Sequence, residues 1–290
     1  MSAQDNIPVL SSIQRLAGGY DAMLCDIWGV IHNGERPFED AVLACQSFRK
    51  QGGTVVLISN SPRPGNAVAL QLSQIGVPED IYDGIVTSGD TTRHVLVERR
   101  GLPVFHLGPE RDKPLLDGLE LELVGLEEAA YVLCSGLYDD LTESPEDYTD
   151  MFSRMRARNL AMVCANPDIQ VERGDRLIYC AGALAEAFEK RGGEVVYTGK
   201  PHRPIYEMAI ARIEEARGEG VPADRILCIG DSLKTDITGA VIAGLDVVFV
   251  ASALHIDGSN EEEPLSERVV NEVFSGVEHK PIAAQKTLKW

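Results

Sequence analysis

Three apolar runs of the sequence end in polar residues that could do chemistry together. These ends are Cys25-Asp26-Ile27, Ile58-Ser59-Asn60 and Gly230-Asp231-Ser232. In an open parallel sheet, ligands bind beyond the carboxyl ends of the strands, so the polar residues could converge in one crevice. A single Asp at a strand end is more often a helix cap, but three such ends in one chain favour a site.

Two carboxylates in such a crevice suit a magnesium ion. Magnesium prefers oxygen ligands and keeps several waters, so it needs few protein carboxylates. Asp26 and Asp231 could hold the ion, and Asp236 could buttress the site. A metal there would neutralise the charge of a phosphate and let Asp26 approach it as a nucleophile.

A lysine in a glycine turn adds to this picture. Lys200 lies in Tyr197-Thr198-Gly199-Lys200-Pro201, and its fixed positive charge would stabilise a transferring phosphoryl group. Ser59 and backbone N–H groups would bind phosphoryl oxygens. The ordinary alternative for Lys200 is an exposed turn lysine, but its position between two strand–turn signals argues against that reading.

The elements that would position these residues follow the βαβ rhythm of a parallel sheet covered by helices, which predicts an α/β fold. We find no internal repeat and no low-complexity linker, and no composition shift that marks a domain boundary. Period and length of the apolar runs predict strands at 22–26, 54–59, 84–87, 130–134, 160–165, 194–198, 225–229 and 246–250, and helices at 39–51, 64–75, 146–158, 181–191, 205–216 and 236–243.

Taken in order, these motifs resemble the haloacid dehalogenase superfamily of phosphohydrolases. The match is to the subclass, IIA, that carries a large α/β cap inserted after the second motif. The resemblance implies a Rossmann-like core and a cap, with the core at 1–90 and 196–290 and the cap at 91–195. It also implies a small phosphorylated metabolite as substrate, and it leaves room for a homodimer because such caps often join subunits.

The resemblance assigns a role to each motif. Asp26 would be the nucleophile and a Mg²⁺ ligand, and the backbone carbonyl of Trp28 a further ligand. Ser59 and Asn60 would bind the phosphoryl group, with Lys200 as the charge stabiliser. The remaining motif runs from Gly230 to Ile237, in which Asp231 would be the main acidic ligand and Asp236 its partner in the second shell of the metal.

One position departs from the family pattern. Phosphatases of this superfamily usually carry a second Asp two residues after the nucleophile, and here that position is Trp28. An indole cannot usefully give or take a proton, and general acid–base help is typically worth about 10²–10⁴-fold. Either His32 or Glu35 replaces the acid, or the substrate has a good leaving group, or the protein binds a phosphometabolite with little or no turnover.

The cap residues would set substrate choice, because specificity lies in the elements over a fixed catalytic core. Asn166 and Asp168 in Asn166-Pro167-Asp168, together with Arg63, are the substrate-binding candidates. For the two cap residues a structural role is the commoner alternative, while for Arg63 the two readings are balanced. The segment from Thr87 to Asp90 resembles the entry into the cap.

Composition excludes several classes of function. The net charge is −18, with no basic patch, so neither nucleic acid nor an anionic membrane surface is an expected partner. The six cysteines show no C-x-x-C spacing and are expected to be buried thiols in a reducing compartment.

The chain has neither a signal-peptide pattern nor a long apolar run, so we expect a cytoplasmic protein. The acidic run Glu261-Glu262-Glu263 is most simply a solvated loop.

Two other readings are weaker. A dinucleotide-binding protein would need a G-x-G-x-x-G turn, which the glycines after Ile31 do not form. A metal-free dehalogenase on the same fold is disfavoured by the pair Asp231 and Asp236, which indicates a metal.

Overall fold

The computed structural model describes residues 6–173, 176–251 and 264–290, so the acidic run 261–263 lies outside the described residues. Strands alternate with helices along most of this length. The strands are β1 Ala22–Asp26, β2 Thr54–Ser59, β3 Gly84–Thr87, β4 Val104–Leu107, β5 Tyr131–Cys134, β6 Met162–Cys164, β7 Gln170–Arg173, β8 Arg176–Tyr179, β9 Val195–Tyr197, β10 Ile226–Gly230, β11 Asp246–Val250 and β12 Ala283–Gln285.

The helices of the described residues fall between these strands. They are α1 Gln14–Ala17, α2 Glu39–Lys50, α3 Gly65–Gln74, α4 Ser88–Glu98, α5 Thr149–Ala157, α6 Ala181–Glu189, α7 Arg203–Arg217, α8 Thr238–Ile242 and α9 Glu267–Val273. Short 3-10 turns lie at Glu79–Ile81, Glu110–Leu115, Pro145–Tyr148 and Ala223–Arg225, and a π-helical turn lies at Leu233–Ile237.

The larger sheet has the strand order β12-β11-β10-β1-β2-β3. From β12 to β2 every neighbouring pair is parallel. Each residue of β1, β2 and β10 is buried, because a parallel sheet covered on both faces needs continuous apolar strands. The predicted α/β fold with a helix-flanked parallel sheet is confirmed.

A second sheet has the order β4-β5-β6-β9, again with parallel pairs throughout, and β7 and β8 form a separate antiparallel ribbon. Both faces of the second sheet are covered. Phe152 of α5 and Phe188 of α6 pack on one face, and Leu96 of α4 packs on the other. This part of the chain is therefore an α/β layer structure with a core of its own.

The chain forms two compact units. One comprises the described residues of Met1–Ile58, Gln71–Ile85 and Tyr206–Trp290, and the other those of Ser59–Leu70 and Val86–Ile205. Segments 59–70, 86–90 and 196–205 thus group with the second unit, whereas the sequence analysis put them with the core. The boundaries 1–90, 91–195 and 196–290 stay a prediction.

Two predicted helices are wrong in part. The helix predicted at 236–243 begins as the π-helical turn Leu233–Ile237 and becomes α-helical only at Thr238. The helix predicted at 146–158 begins as a 3-10 turn at Pro145–Tyr148. Ser144 and Asp147 form a capping box there, which starts the turn earlier than the apolar period alone indicates.

Candidate active site

Three carboxylates meet at the end of the larger sheet. Asp26 is the last residue of β1, and Asp231 follows β10, which pairs with β1 through Cys25 and Ile229. Asp236 lies one turn further on. Each of the three side chains offers an oxygen within 4.8 Å of the others, and all three residues are buried. Among the described residues this is the cluster of acidic groups that could hold a metal ion.

Glycines make room for these carboxylates. A β-carbon on Gly29 would lie 2.0 Å from Oδ2 of Asp231, and one on Gly230 would lie 2.2 Å from Cβ of Asp236. Gly29 also has φ +80°, a conformation that L side chains rarely adopt. In addition, the backbone N–H of Ser232 donates to Oδ2 of Asp236 at 3.2 Å, so Asp236 also holds the loop after Asp231 in place.

A tight loop follows β1 and fixes Trp28. The N–H of Gly29 donates to the carbonyl of His32 at 2.9 Å, and the N–H of His32 to the carbonyl of Ile27 at 3.3 Å. These two hydrogen bonds involve the N–H of Gly29 and the carbonyl of Ile27, and neither involves the carbonyl of Trp28. The indole lies against Gly34, where a β-carbon would come within 2.7 Å of it, and edge-on to His32 with ring centroids 5.0 Å apart.

His32 is poorly suited to replace the missing acid. The N–H of Gly34 donates to Nδ1 of His32 at 2.7 Å, so the ring proton lies on Nε2. Burial lowers the pKa of His32 to about 4. At pH 7 the ring is therefore neutral and holds no proton that it could readily give to a leaving group. Glu35, the other candidate, is an exposed loop residue.

A second polar cluster lies in the second unit. The side-chain amide of Asn60 accepts from the backbone N–H of Lys200 at 2.7 Å and donates to the carboxylate of Asp168 at 2.8 Å. Asn60 and Lys200 are both buried. Ser59 precedes them at the end of β2, and its hydroxyl accepts from the N–H of Ser61 at 3.1 Å. Asn60, Asp168 and Lys200 are thus brought together.

The other two substrate-binding candidates have structural contacts. Asn166 is buried, and its side-chain oxygen accepts from the N–H of Asp168 at 3.0 Å, which closes the Asn166-Pro167-Asp168 turn. The half-buried Arg63 donates its backbone N–H to the hydroxyl of Ser61 at 3.3 Å. Neither contact tests substrate binding, so both roles stay predictions.

The sequence reading missed a buried carboxylate, Asp112. It is 3% exposed and hydrogen-bonds to the hydroxyl of Ser135, which also contacts Nε2 of His106 at 2.9 Å. Burial raises the pKa of Asp112 to about 6, against the lowering influence of Arg111 and Ser135. Asp112 lies in the 3-10 turn Glu110–Leu115, in no motif, and only tertiary packing reveals it.

The predicted site residues therefore fall into two groups. Asp26, Asp231 and Asp236, with Trp28, belong to the first unit, while Ser59, Asn60, Asp168 and Lys200 belong to the second. Ile58, the register partner of Asp26, is directly followed in the chain by Ser59. The joint action of the two groups on one substrate stays a prediction.

Comparisons with known proteins agree with this architecture. The family model of haloacid dehalogenase-like hydrolases matches residues 23–122, and a model of related hydrolases matches 197–273. A crystal structure of a haloacid dehalogenase-like hydrolase from Brucella suis 1330 is 46% identical, with a TM-score of 0.86, over 97% of this chain and 100% of that one.

Two further relatives have named activities. The 5'-nucleotidase YutF of Bacillus subtilis is 25% identical over 80% of this chain and 87% of its own length. A glycerol phosphate phosphatase of Mycobacterium tuberculosis, solved in complex with magnesium, is 25% identical with a TM-score of 0.63, covering 81% of this chain and 69% of that one.

The helix-covered parallel sheet and the buried carboxylate cluster at its edge define a hydrolase with a Rossmann-like fold, whose chain also forms a second α/β unit. The chain belongs to the haloacid dehalogenase-like hydrolase family. In the part of the chain that the structure describes, no helix has the length and apolar character needed to span a bilayer.

Proposed function

We propose that the protein is a magnesium-dependent phosphatase that hydrolyses a small phosphorylated metabolite through an aspartyl-phosphate on Asp26. The observation that carries the proposal is the buried cluster of Asp26, Asp231 and Asp236, with oxygens within 4.8 Å of one another. The named activities of the relatives, a nucleotidase and a glycerol phosphate phosphatase, support a phosphate monoester as the substrate class.

The donor set fits magnesium. Three carboxylates buried together repel one another unless a cation or protons compensate their charge. All donors are oxygens, the ligands that Mg²⁺ prefers. In this proposal Asp26, Asp231 and the carbonyl of Trp28 hold the ion, and Asp236 supports Asp231. When bound, the ion supplies positive charge that lets an anionic nucleophile approach an anionic phosphate.

The residues of the chain then divide the reaction between them. A carboxylate oxygen of Asp26 forms a bond to phosphorus while the bond from phosphorus to the ester oxygen breaks. Water then attacks the aspartyl-phosphate, which releases inorganic phosphate and restores Asp26. Ser59 and Asn60 bind phosphoryl oxygens, and Lys200 stabilises the charge that develops on them.

Trp28 decides which esters are turned over quickly. Since neither the indole nor the neutral His32 supplies a proton, the leaving oxygen departs without one from these residues. Aryl phosphates, whose leaving groups are stable anions, should therefore be hydrolysed faster than alkyl phosphates. The second candidate function rests on the same residue: a module that binds a phosphometabolite with little or no turnover.

Steady-state hydrolysis of nitrophenyl phosphate tests the proposal. We expect release that needs magnesium, stops with chelator and is absent from Asp26→Asn, while the exposed Asp224→Asn behaves as wild type. An alkyl phosphate assayed alongside should react more slowly. A folded wild type that binds magnesium and phosphate but releases no nitrophenol would favour the binding module.

A further inference from the structure

The amide of Asn60 connects three parts of the second unit. Its Nδ2 donates to Oδ1 of Asp168 at 2.8 Å and to the carbonyl of Lys200 at 3.2 Å, while its Oδ1 accepts from the N–H of Lys200 at 2.7 Å. If the amide were turned over, its oxygen would face two acceptors and its NH₂ group would face a donor. Asp168 therefore helps to determine which way the amide points.

Asp168 is itself held firmly. Its N–H donates to the side chain of Asn166 at 3.0 Å, and its carbonyl accepts from the N–H of Gly182 at 3.1 Å. A β-carbon on Gly182 would lie 2.4 Å from the carbonyl oxygen of Asp168, so the start of α6 fits closely against this turn. The carboxylate thus comes from a rigid element, which is what precise positioning requires.

We infer that Asp168 is a positioning residue that acts through Asn60 to set the backbone at Lys200, and that it does not recognise the substrate directly. The inference rests on the proposed function, in which Asn60 and Lys200 bind the phosphoryl group. A hydrogen bond to an ionised acceptor is roughly twice as strong as a neutral one, so the carboxylate is a stronger anchor than a neutral side chain. A carboxylate in contact with a phosphate would instead repel it.

A positioning role for Asp168 predicts a loss of activity that is the same whatever the leaving group of the substrate. Asp168→Ala should lower kcat/KM by about tenfold or more, the usual scale for losing a hydrogen bond to a charged group. The factor should be the same for nitrophenyl phosphate and for an alkyl phosphate, and the inhibition constant of inorganic phosphate should rise with it. Asp168→Asn should restore most of the loss, because its amide oxygen also accepts from Asn60.

The exposed carboxylate of Asp139 in the same unit gives the matched control, and Asp139→Ala should match wild type. A loss confined to one leaving group would mean that Asp168 contacts the substrate, and the inference would be overturned. So would a loss in Asp168→Ala that is no larger than in Asp139→Ala.

A double-mutant cycle tests whether the effect passes through Asn60. In an Asn60→Ala background, Asp168→Ala should cause little further loss, since its partner is already gone. Fully additive losses would show that Asp168 acts elsewhere. Melting temperatures of all four proteins separate this coupling from general unfolding.

A readout independent of activity separates this inference from the proposed function. The backbone amide resonance of Lys200 reports its hydrogen bond to Asn60 and should shift upfield in Asp168→Ala, even if the wild type hydrolyses nothing. An unmoved Lys200 resonance in Asp168→Ala would refute the positioning role. If the wild type shows no turnover but the resonance shifts in Asp168→Ala, only the proposed phosphatase activity is refuted.

Discussion

The β-carbon position of Gly29 lies 2.0 Å from the carboxylate oxygen Oδ2 of Asp231. The loop after β1 and the acid after β10 are therefore in direct contact, and a side chain at position 29 would displace the carboxylate. In the sequence, Gly29 and Asp231 belong to separate motifs. In the structure, they share one small space.

Gly29→Ala should abolish magnesium-dependent hydrolysis. The methyl group would push Asp231 out of the cluster, and φ +80° would add roughly 1–2 kcal/mol of backbone strain. Gly52→Ala is the matched control, because Gly52 has φ +88° but no atom within 4 Å of the added carbon. Both variants should lose stability in urea, Gly29→Ala at least as much as Gly52→Ala, and only Gly29→Ala should lose activity. Equal activity in the two variants would contradict the crowding argument.

Magnesium should stabilise the protein through Asp231. At a magnesium concentration one hundred times the dissociation constant, the free energy of unfolding should rise by about 2.7 kcal/mol. Thermal or urea unfolding with magnesium and with chelator measures this rise. Asp231→Asn should show a much smaller one, whereas the exposed Asp224→Asn should respond as wild type. An undiminished response in Asp231→Asn would place the metal elsewhere.

Asp112 should make stability fall as pH rises above its ordinary pKa. In the folded protein its pKa is about 6, raised from 3.8 by burial, so the folded state binds the proton more tightly than the unfolded state. This contribution is fully present below pH 4 and is lost as pH rises through 6, by about 1 kcal/mol between pH 5 and pH 7. Urea unfolding of wild type and Asp112→Asn at both pH values measures the difference.

Asp112→Asn should remove that part of the pH dependence, because an amide does not titrate and can still accept from Ser135. Asp139→Asn, which replaces an exposed carboxylate, should retain the pH dependence of the wild type. Identical pH slopes for wild type and Asp112→Asn would mean that Asp112 titrates normally in the folded protein.

Trp28→Asp should change leaving-group preference. A carboxylic acid at this position could protonate the ester oxygen, which is worth about 10²–10⁴-fold where the leaving group needs it. The ratio of alkyl to aryl phosphate hydrolysis should therefore rise. Trp28→Phe removes the same contact with Gly34 and adds no acid, so it controls for lost packing. An unchanged ratio in Trp28→Asp would show that another group already supplies the proton.

The sequence was sufficient for five of the six strands of the larger sheet, all but the edge strand β12, and for the expected meeting of the carboxylates. The strands β1, β2, β3 and β11 have the predicted bounds, because each is a continuous apolar run with a clear break after it. Asp26 and Asp231 could be paired because parallel strands deliver their carboxyl ends to one edge.

Other features depend on packing that no local pattern reveals. The bond from Asn60 to Asp168 spans 108 positions in the chain. The helix α4 was not predicted because it lacks a strong apolar period, although the capping box of Thr87 and Asp90 at its start is a local signal for a helix. The π-helical turn Leu233–Ile237 carries Asp236, which packs closely against Gly230, and no local pattern of the sequence indicates such a turn.

The central place of β1 between β10 and β2 has a consequence for how the protein is made. One neighbour of β1 leaves the ribosome soon after it, but the other, β10, is separated from it by about 200 residues, or roughly 10–40 s of synthesis. Until then one edge of β1 has no native partner strand, and Asp26 is without Asp231. A nascent chain that stalls within the second unit would therefore carry Asp26 without the other two carboxylates of the cluster, and it would expose an apolar edge to chaperones.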